Sequence, residues 1–303
     1  MSNRINAIIL GDLILDTYIT GAVHRISPEA PVPVLFQKDN YHVLGGALNV
    51  VENLISLGAE VHPFGVIGED KPGEKIIDII KDKKISTDGI LISKNYTTTE
   101  KTRFASNNHH LLRVDNEKIV SKKKWDIFFK DLLIKKLSYV DFILVSDYGK
   151  GVCSEALINS IIKLSNKNSL NVFIDPKGNN YSKYRGSFCI TPNKIEAESV
   201  LNTKLETDRD FEKGCRDISK RFNIKNCIIT RGSHGLTYYD GNRTAHLKAK
   251  KVDVFDVSGA GDTFISCLAY HYTLSKKKSI HNSCKFANDK AGQTVQYFGT
   301  KSI

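Results

Sequence analysis

The chain has 303 residues, 41% hydrophobic and 25% charged, which is length and apolar content enough for a large core without disulfide or metal staples. Its net charge of +11 comes from lysines in scattered short runs (81–84, 122–124, 248–251 and 276–278), with few arginines and no helix-turn-helix or RNA-binding signature, so nucleic acid is not an expected partner. No stretch has the apolar length of a membrane span, the run Ala7-Ile8-Ile9-Leu10 is too short for a signal peptide, and the six cysteines form neither a CxxC pair nor a zinc-ligand spacing, as expected of reduced thiols in a cytoplasmic protein.

In chain order, the hydrophobic pattern predicts a strand over 7–10, a helix over 47–57, a strand over 61–67 and a helix over 74–81. A helix over 125–136, a strand over 142–145, a helix over 155–164 and strands over 172–174 and 188–190 follow. Helices over 194–201 and 211–222, a strand over 227–230 and helices over 262–274 and 279–294 complete the series. Strands alternating with helices predict an α/β fold with a central, mostly parallel sheet covered on both faces. No repeat or low-complexity linker divides the chain, so a single domain over 1–303 is expected. Two segments break the rhythm. Residues 17–45 contain Pro28, Pro31 and Pro33, and residues 96–115 are threonine-rich and then polar; both predict short antiparallel strands set apart as a small β-lid.

The strongest chemical signal is Asp256-Val257-Ser258-Gly259-Ala260-Gly261-Asp262, a tight glycine turn opening an apolar helix. Glycines let backbone N–H groups face outward and the helix N-terminus adds partial positive charge, which together form an anion site. A transferring phosphoryl group needs such preorganised donors, and Asp262 in the first turn is placed to accept a proton from an attacking hydroxyl. Alone, the same residues would equally describe a capped helix. Gly45-Gly46-Ala47-Leu48-Asn49 is a second candidate, with two glycines permitting close backbone approach and Asn49 offering donor and acceptor. Asn193-Lys194-Ile195-Glu196 is a third; its spacing places Asn193 and Glu196 on one helical turn, and hard oxygens suit Mg²⁺, although a helix cap has the same pattern.

Taken together and in this order, these motifs closely resemble the D-T-x-G-A-G-D, G-G-x-x-N and N-x-x-E signatures of the ribokinase-like (PfkB) carbohydrate kinases, with Val257 standing where threonine is usual. The resemblance extends over essentially the whole chain. It implies an ATP-dependent sugar kinase with Asp262 as base and Gly259, Ala260 and Gly261 as a backbone anion hole. It implies sugar contacts from Asp12, Asp16, Gly45, Gly46 and Asn49, and Mg-ATP held through water near Asn193 and Glu196. It further implies a nucleotide loop with Arg231, Gly232 and Gly235, an adenine-side segment beginning at Asn288, and a monovalent cation, K⁺, near Asp256 and Gly299. Such kinases pair through their lids, so a homodimer is expected.

Four further segments, 24–34, 111–115, 146–151 and 175–178, resemble the subgroup that phosphorylates D-glycero-β-D-manno-heptose 7-phosphate at C1 for ADP-heptose and lipopolysaccharide core synthesis. A sugar phosphate needs cations at its distal end, and Arg103, Arg113 and Lys177, with Lys101 and Lys150, lie in or near those segments. Asn107-Asn108-His109-His110 departs from the subgroup pattern. The chain has no H-x-G-H motif, so a kinase without the adenylyl-transferring partner domain is expected. A kinase for another sugar or sugar phosphate, and a catalytically silent sugar or nucleotide sensor on the same fold, stand as the alternatives.

Overall fold

The computed structural model describes residues 4–107, 109–120, 123–297 and 299. Strand β1 (Asn6–Gly11) shows how its architecture follows from sequence: Ala7 and Ile9 belong to one hydrophobic core, Ile8 and Leu10 to another. Phe142 and Leu144 against Ile143 and Val145 repeat this alternation next door, in the strand Phe142–Ser146. Strands with apolar residues on both faces can be covered only by helices on both faces.

A nine-stranded sheet results. From one edge it runs β13 (Thr244–Leu247), β12 (Leu236–Tyr239), β11 (Asn226–Thr230), β10 (Cys189–Ile190), β9 (Asn171–Asp175), β8 (Phe142–Ser146), β1, β4 (Glu60–Gly68) and β5 (Ile90–Ser93). Pairing is parallel from β11 through to β5 and antiparallel only at β12 and β13. One face packs on α1 (Ala47–Ser56), α2 (Lys71–Asp82), α7 (Ala260–Leu274) and α8 (Ile280–Thr294). The other packs on α3 (Lys123–Lys136), α4 (Glu155–Lys167), α5 (Lys194–Leu201) and α6 (Asp208–Phe222). Each fully buried Ile, Leu or Phe contributes about 1.5–3 kcal/mol, so these two cores supply the main stabilisation. The six cysteines are all buried free thiols, and no helix among the described residues is long and apolar enough to cross a membrane.

Every predicted strand and helix is present, with ends moved by a few residues. α2 begins earlier than its apolar pattern because Asp70 caps it, accepting from the Gly73 N–H at 3.0 Å, and Pro72 suits its first turn. Strands β5, β12 and β13 were not foreseen: each is only four residues long, at or next to a sheet edge, and alternation over so few residues carries little signal.

The second sheet has four strands in the order β3 (Pro33–Gly46), β2 (Leu13–Ile26), β6 (Thr99–Ser106) and β7 (His109–Asn116). Two features differ from expectation. β2 and β3 are long, 14 residues each, and β2 pairs with β6 in parallel. The length has a simple origin: β2 starts one residue after β1, runs through the core from Leu13 to Tyr18 and only then emerges, so its first half reads as core and its second half as loop. β7 is exposed throughout, and Ile26, Phe36, Leu112 and Val114 carry apolar surface into solvent.

Candidate active site

The carboxyl ends of the parallel strands converge on one crevice, the place where open α/β sheets present their chemistry. Asp12 follows β1, Asp147 follows β8, Asp175 ends β9, and Asn193 lies just beyond β10. α7 points its N-terminus into the same crevice. Gly259 caps that helix at φ 77°, a left-handed conformation that favours glycine, and Asp262 lies in the first turn with 5% of its surface exposed.

The Asp262 carboxylate accepts from Asn49 Nδ2 at 2.7 Å and from the Tyr148 hydroxyl at 2.9 and 3.1 Å. Burial pushes its pKa up to about 6, while Asn49 and Tyr148 pull it down by donating to the anion. It is therefore ionised at neutral pH and still basic enough to take a proton, the compromise a general base requires. Asn49 reaches it from α1 because Gly46, at φ 59°, turns the chain sharply from β3 into that helix.

Beside Gly261 lie two continuous cavities. The first, about 180 Å³, is lined by Tyr148, Asp175, Lys177, Asn193, Glu196 and Gly261. The second, about 370 Å³, is walled by Gly232, Gly235, Val252, Val257, Asn288 and Val295 and shares Thr230, Gly261 and Phe264 with the first. Where a Cβ of Gly261 would stand, no atom lies within 4 Å. The arrangement gives a polar, acid-rich chamber and an apolar cleft joined across a glycine at a helix N-terminus. Two larger depressions, about 540 and 520 Å³, are open surface grooves flanked by lysines, remote from these acids.

On the other side of Asp262 is the small sheet. Asp16 of β2 receives Arg103 NH1 of β6 at 2.6 Å, both largely buried, with the guanidinium 5.3 Å from the Tyr18 ring centre. Gly45 makes this possible, since a Cβ there would stand 2.4 Å from Asp16 Oδ2. Lys101 Nζ lies 5.7 Å from the Tyr148 ring centre; burial lowers the pKa of this amine. Asp256, ahead of the glycine turn, accepts from the Ser258 N–H at 2.9 Å and the Gly299 N–H at 3.0 Å, which joins the two segments expected to frame a cation. His110 of β7 reaches the same carboxylate at 3.6 Å.

Several residues do other work than the sequence suggested. Asp12 is wholly buried and accepts from the Tyr148, Lys150 and Val152 N–H groups at 2.9, 3.0 and 3.2 Å, so it holds the loop after β8. Arg231 turns away from the cleft to Asp208 at 2.7 Å and lies 4.1 Å from the Phe211 ring centre; it ties the loop after β11 to α6. Lys177 ends up in the chamber, 3.0 Å from Glu196 Oε1, delivered there by the turn after β9. Arg113 pairs with Asp115 at 2.8 Å on the exposed strand β7, and Lys150 with Glu117 at 2.6 Å. Asn193 and Glu196 form a reciprocal capping box on α5 at 3.0 Å in each direction, while still lining the chamber. Asn288 lines the cleft and donates to the Lys248 carbonyl at 2.9 Å. Asn108 lies outside the described residues.

Tyr148, Asp147 and Asp175 belong to the segments 146–151 and 175–178 noted in the sequence, but no role was read for them there, and the structure places them beside Asp262 and the chamber. Asp147 accepts from Lys183 Nζ at 2.5 Å, the Tyr184 hydroxyl at 2.7 Å and the Gly149 N–H at 2.8 Å. Burial pushes the Asp175 pKa well above its usual value, and the charges of Asp262 and Glu196 push it further. An acid within two residues of the end of a predicted strand was the available signal for both Asp147 and Asp175.

Residues 6–303 match the model of the pfkB family of carbohydrate kinases. The chain belongs to that family. It is a sugar kinase, a phosphotransferase of a family that uses ATP with Mg²⁺. It is 38% identical over 295 residues to the "Bifunctional protein HldE" of Helicobacter acinonychis (strain Sheeba), covering 97% of this chain and 63% of that protein. With the protein of the same name from Aliarcobacter butzleri (strain RM4018) it is 36% identical over 302 residues, 99% of this chain and 63% of that protein. The chain thus spans about 63% of the length of these relatives. Among solved structures, Escherichia coli phosphofructokinase-2 in complex with potassium aligns with TM-score 0.79 at 15% identity, covering 99% of this chain and 95% of that one. Arabidopsis thaliana ribokinase complexed with ribose and ATP aligns with TM-score 0.74 at 16% identity, covering 98% and 94%. These likenesses give the kinase a ribokinase-like fold.

Proposed function

We propose that this kinase transfers the γ-phosphoryl group of ATP to the C1 hydroxyl of D-glycero-β-D-manno-heptose 7-phosphate, in the cytoplasm, as a step toward ADP-heptose and the lipopolysaccharide core. The observation that carries the reaction type is Asp262, an ionised carboxylate buried between a chamber-and-cleft pair on one side and the small sheet on the other. The sugar assignment rests on the four segments that resemble heptose-7-phosphate kinases and on relatives at 36–38% identity that carry the name HldE.

In this reading the apolar cleft takes the adenine, and the chamber takes the phosphates. The Gly259–Gly261 turn and the α7 N-terminus meet the charge that grows on the transferring group. Asp262 accepts the hydroxyl proton as that oxygen attacks phosphorus in line. Mg²⁺ keeps waters and phosphate oxygens as ligands and so needs few protein oxygens. Asp175, Asn193 and Glu196 are the hard oxygens that would hold it, and its chemistry there is to neutralise phosphate charge. The segments joined by Asp256 and Gly299 would hold K⁺.

The small sheet serves as the lid. Its exposed apolar residues, Leu112 and Val114 on β7 and Phe36 on β3, are proposed to pair with a second copy. Light scattering at micromolar concentration should give a dimer mass, and a monomer would count against that pairing.

ADP release with Mg-ATP tests the sugar, comparing the heptose 7-phosphate with ribose, fructose and fructose 6-phosphate. A heptose-phosphate rate at least ~100-fold above the others, about 2.7 kcal/mol of discrimination, is expected. Preference for another sugar would remove the heptose assignment and leave the phosphoryl-transfer chemistry standing.

A further inference from the structure

We infer that Tyr148 is a positioning residue for the base: its hydroxyl, donated into both carboxylate oxygens of Asp262, keeps that side chain oriented and negatively charged for proton abstraction. The inference rests on the reading of Asp262 as base and gives a role to a residue of the 146–151 segment to which the sequence reading assigned none.

Three observations carry it. The first is geometric: the phenol sits 2.9 and 3.1 Å from the two oxygens of Asp262, a two-point contact, while Asn49 takes only one of them. The second concerns how Tyr148 is held. Its loop is gripped by two buried acids: Asp12 binds the Tyr148, Lys150 and Val152 N–H groups, and Asp147 binds the Gly149 N–H. Two wholly or almost wholly buried carboxylates committed to one short loop are a large outlay for a surface turn, and they make sense if the loop must present one side chain accurately. The third is placement. Tyr148 lines the chamber that contains Asp175, Asn193 and Glu196, so its ring forms the wall between the base and the phosphate side.

The phenol can only donate here. Burial, and then the charge of Asp262 itself, raise the Tyr148 pKa well above that of a free tyrosine, so the proton stays on its oxygen across the working range. The charged and polar groups facing Asp262 are Asn49 from α1, Tyr148 from the loop after β8, Asp16 from β2, Lys101 from β6 and Asp175 from β9. Of these only Asn49 and Tyr148 donate hydrogen bonds to it, and Asp16 and Asp175 oppose its charge. Removing the phenol oxygen therefore raises the pKa of Asp262. The base is active when ionised, so the acid limb of the rate profile moves to higher pH.

The test is Tyr148→Phe, which keeps the ring and deletes the donor. Purified wild type and variant are compared for ADP release with the same sugar and Mg-ATP from pH 5 to 9, so that titration of the substrates is common to both. A hydrogen bond to a charged group is worth roughly tenfold to a hundredfold in equilibrium, so the acid limb of kcat should rise by about one pH unit. kcat at the plateau should fall roughly tenfold, with the KM for ATP unchanged. Asp12→Asn, which loosens the grip on the loop, should move the limb in the same direction by less. An acid limb that stays in place in Tyr148→Phe would overturn the inference, whatever happens to kcat. Asp262→Asn separates the two levels: if that variant keeps near wild-type turnover, the base assignment itself fails, whereas an inert Asp262→Asn beside an unmoved Tyr148→Phe limb removes only the role of Tyr148.

Discussion

The two sheets bury acids in different ways. In the large sheet, Asp12 is satisfied by three backbone N–H groups, and Asp147 by one backbone N–H together with Lys183 and Tyr184. In the small sheet, Asp16 is satisfied by one guanidinium, that of Arg103. Backbone donors are fixed by the fold, whereas a side-chain partner can be exchanged for a ligand's hydroxyls at modest cost. On the proposed function, the contrast gives rigidity to the side that would hold the phosphates, where charge must be met without reorganisation. It gives adaptability to the side that would hold the acceptor, where a sugar must enter and leave.

The largest effect should come from the rigid side. Asp262→Asn should lower turnover by roughly three orders of magnitude or more, the range of a lost general base, and leave nucleotide binding largely intact. Steady-state turnover together with ATP binding by calorimetry checks both halves of that statement. A variant near the wild-type rate would end the comparison at its root, because the rigid side would then have no base to hold.

Legibility in the sequence follows the same division. The large sheet was readable because its strands are apolar on both faces and its helices keep a regular stripe, as in the alternation of Ala7 and Ile9 against Ile8 and Leu10. The glycine turn and Asp262 were readable because that chemistry needs those residue types in sequence. The small sheet was only half readable, since one strand, β2, passes from core at Leu13 to solvent at Ile26 and so changes its pattern midway. Tyr148 was hidden for another reason. Its proposed role depends on Asp262, 114 positions further along the chain, lying beside it, and no local spacing encodes that meeting. Arg231 misled in the opposite sense: it sits in a motif that resembles a nucleotide loop, yet its side chain leaves the loop for Phe211 and Asp208.

A smaller effect, and one that sharpens the contrast, is expected from Arg103→Ala. It strips the ion-pair partner of Asp16 and leaves that carboxylate largely buried, a change of about 3 kcal/mol when one member of a buried pair is removed. Because the loss falls in the small sheet, the sugar KM should rise roughly tenfold to a hundredfold while the KM for ATP stays within about twofold. Hydrogen exchange should quicken across β2 and β6 and remain unchanged in β1, β8 and β9. Faster exchange in the large sheet as well would mean that the two sheets are one cooperative unit, against the division drawn here.

Arg231→Ala should have the smallest effect on the reaction. The guanidinium pairs with Asp208, whose side chain is 66% exposed, and stacks on Phe211, so it fastens the loop after β11 to the N-terminal turn of α6. An exposed ion pair and a cation–π contact contribute little each, so their loss should appear only as a slightly lower unfolding midpoint. The cleft is lined by Gly232 and Gly235 and not by Arg231, so the KM for ATP should change by less than about threefold. A tenfold rise in that KM with the midpoint unmoved would return Arg231 to the nucleotide. It would also show that this loop rearranges when ATP enters, which would make the phosphate side the more adaptable of the two.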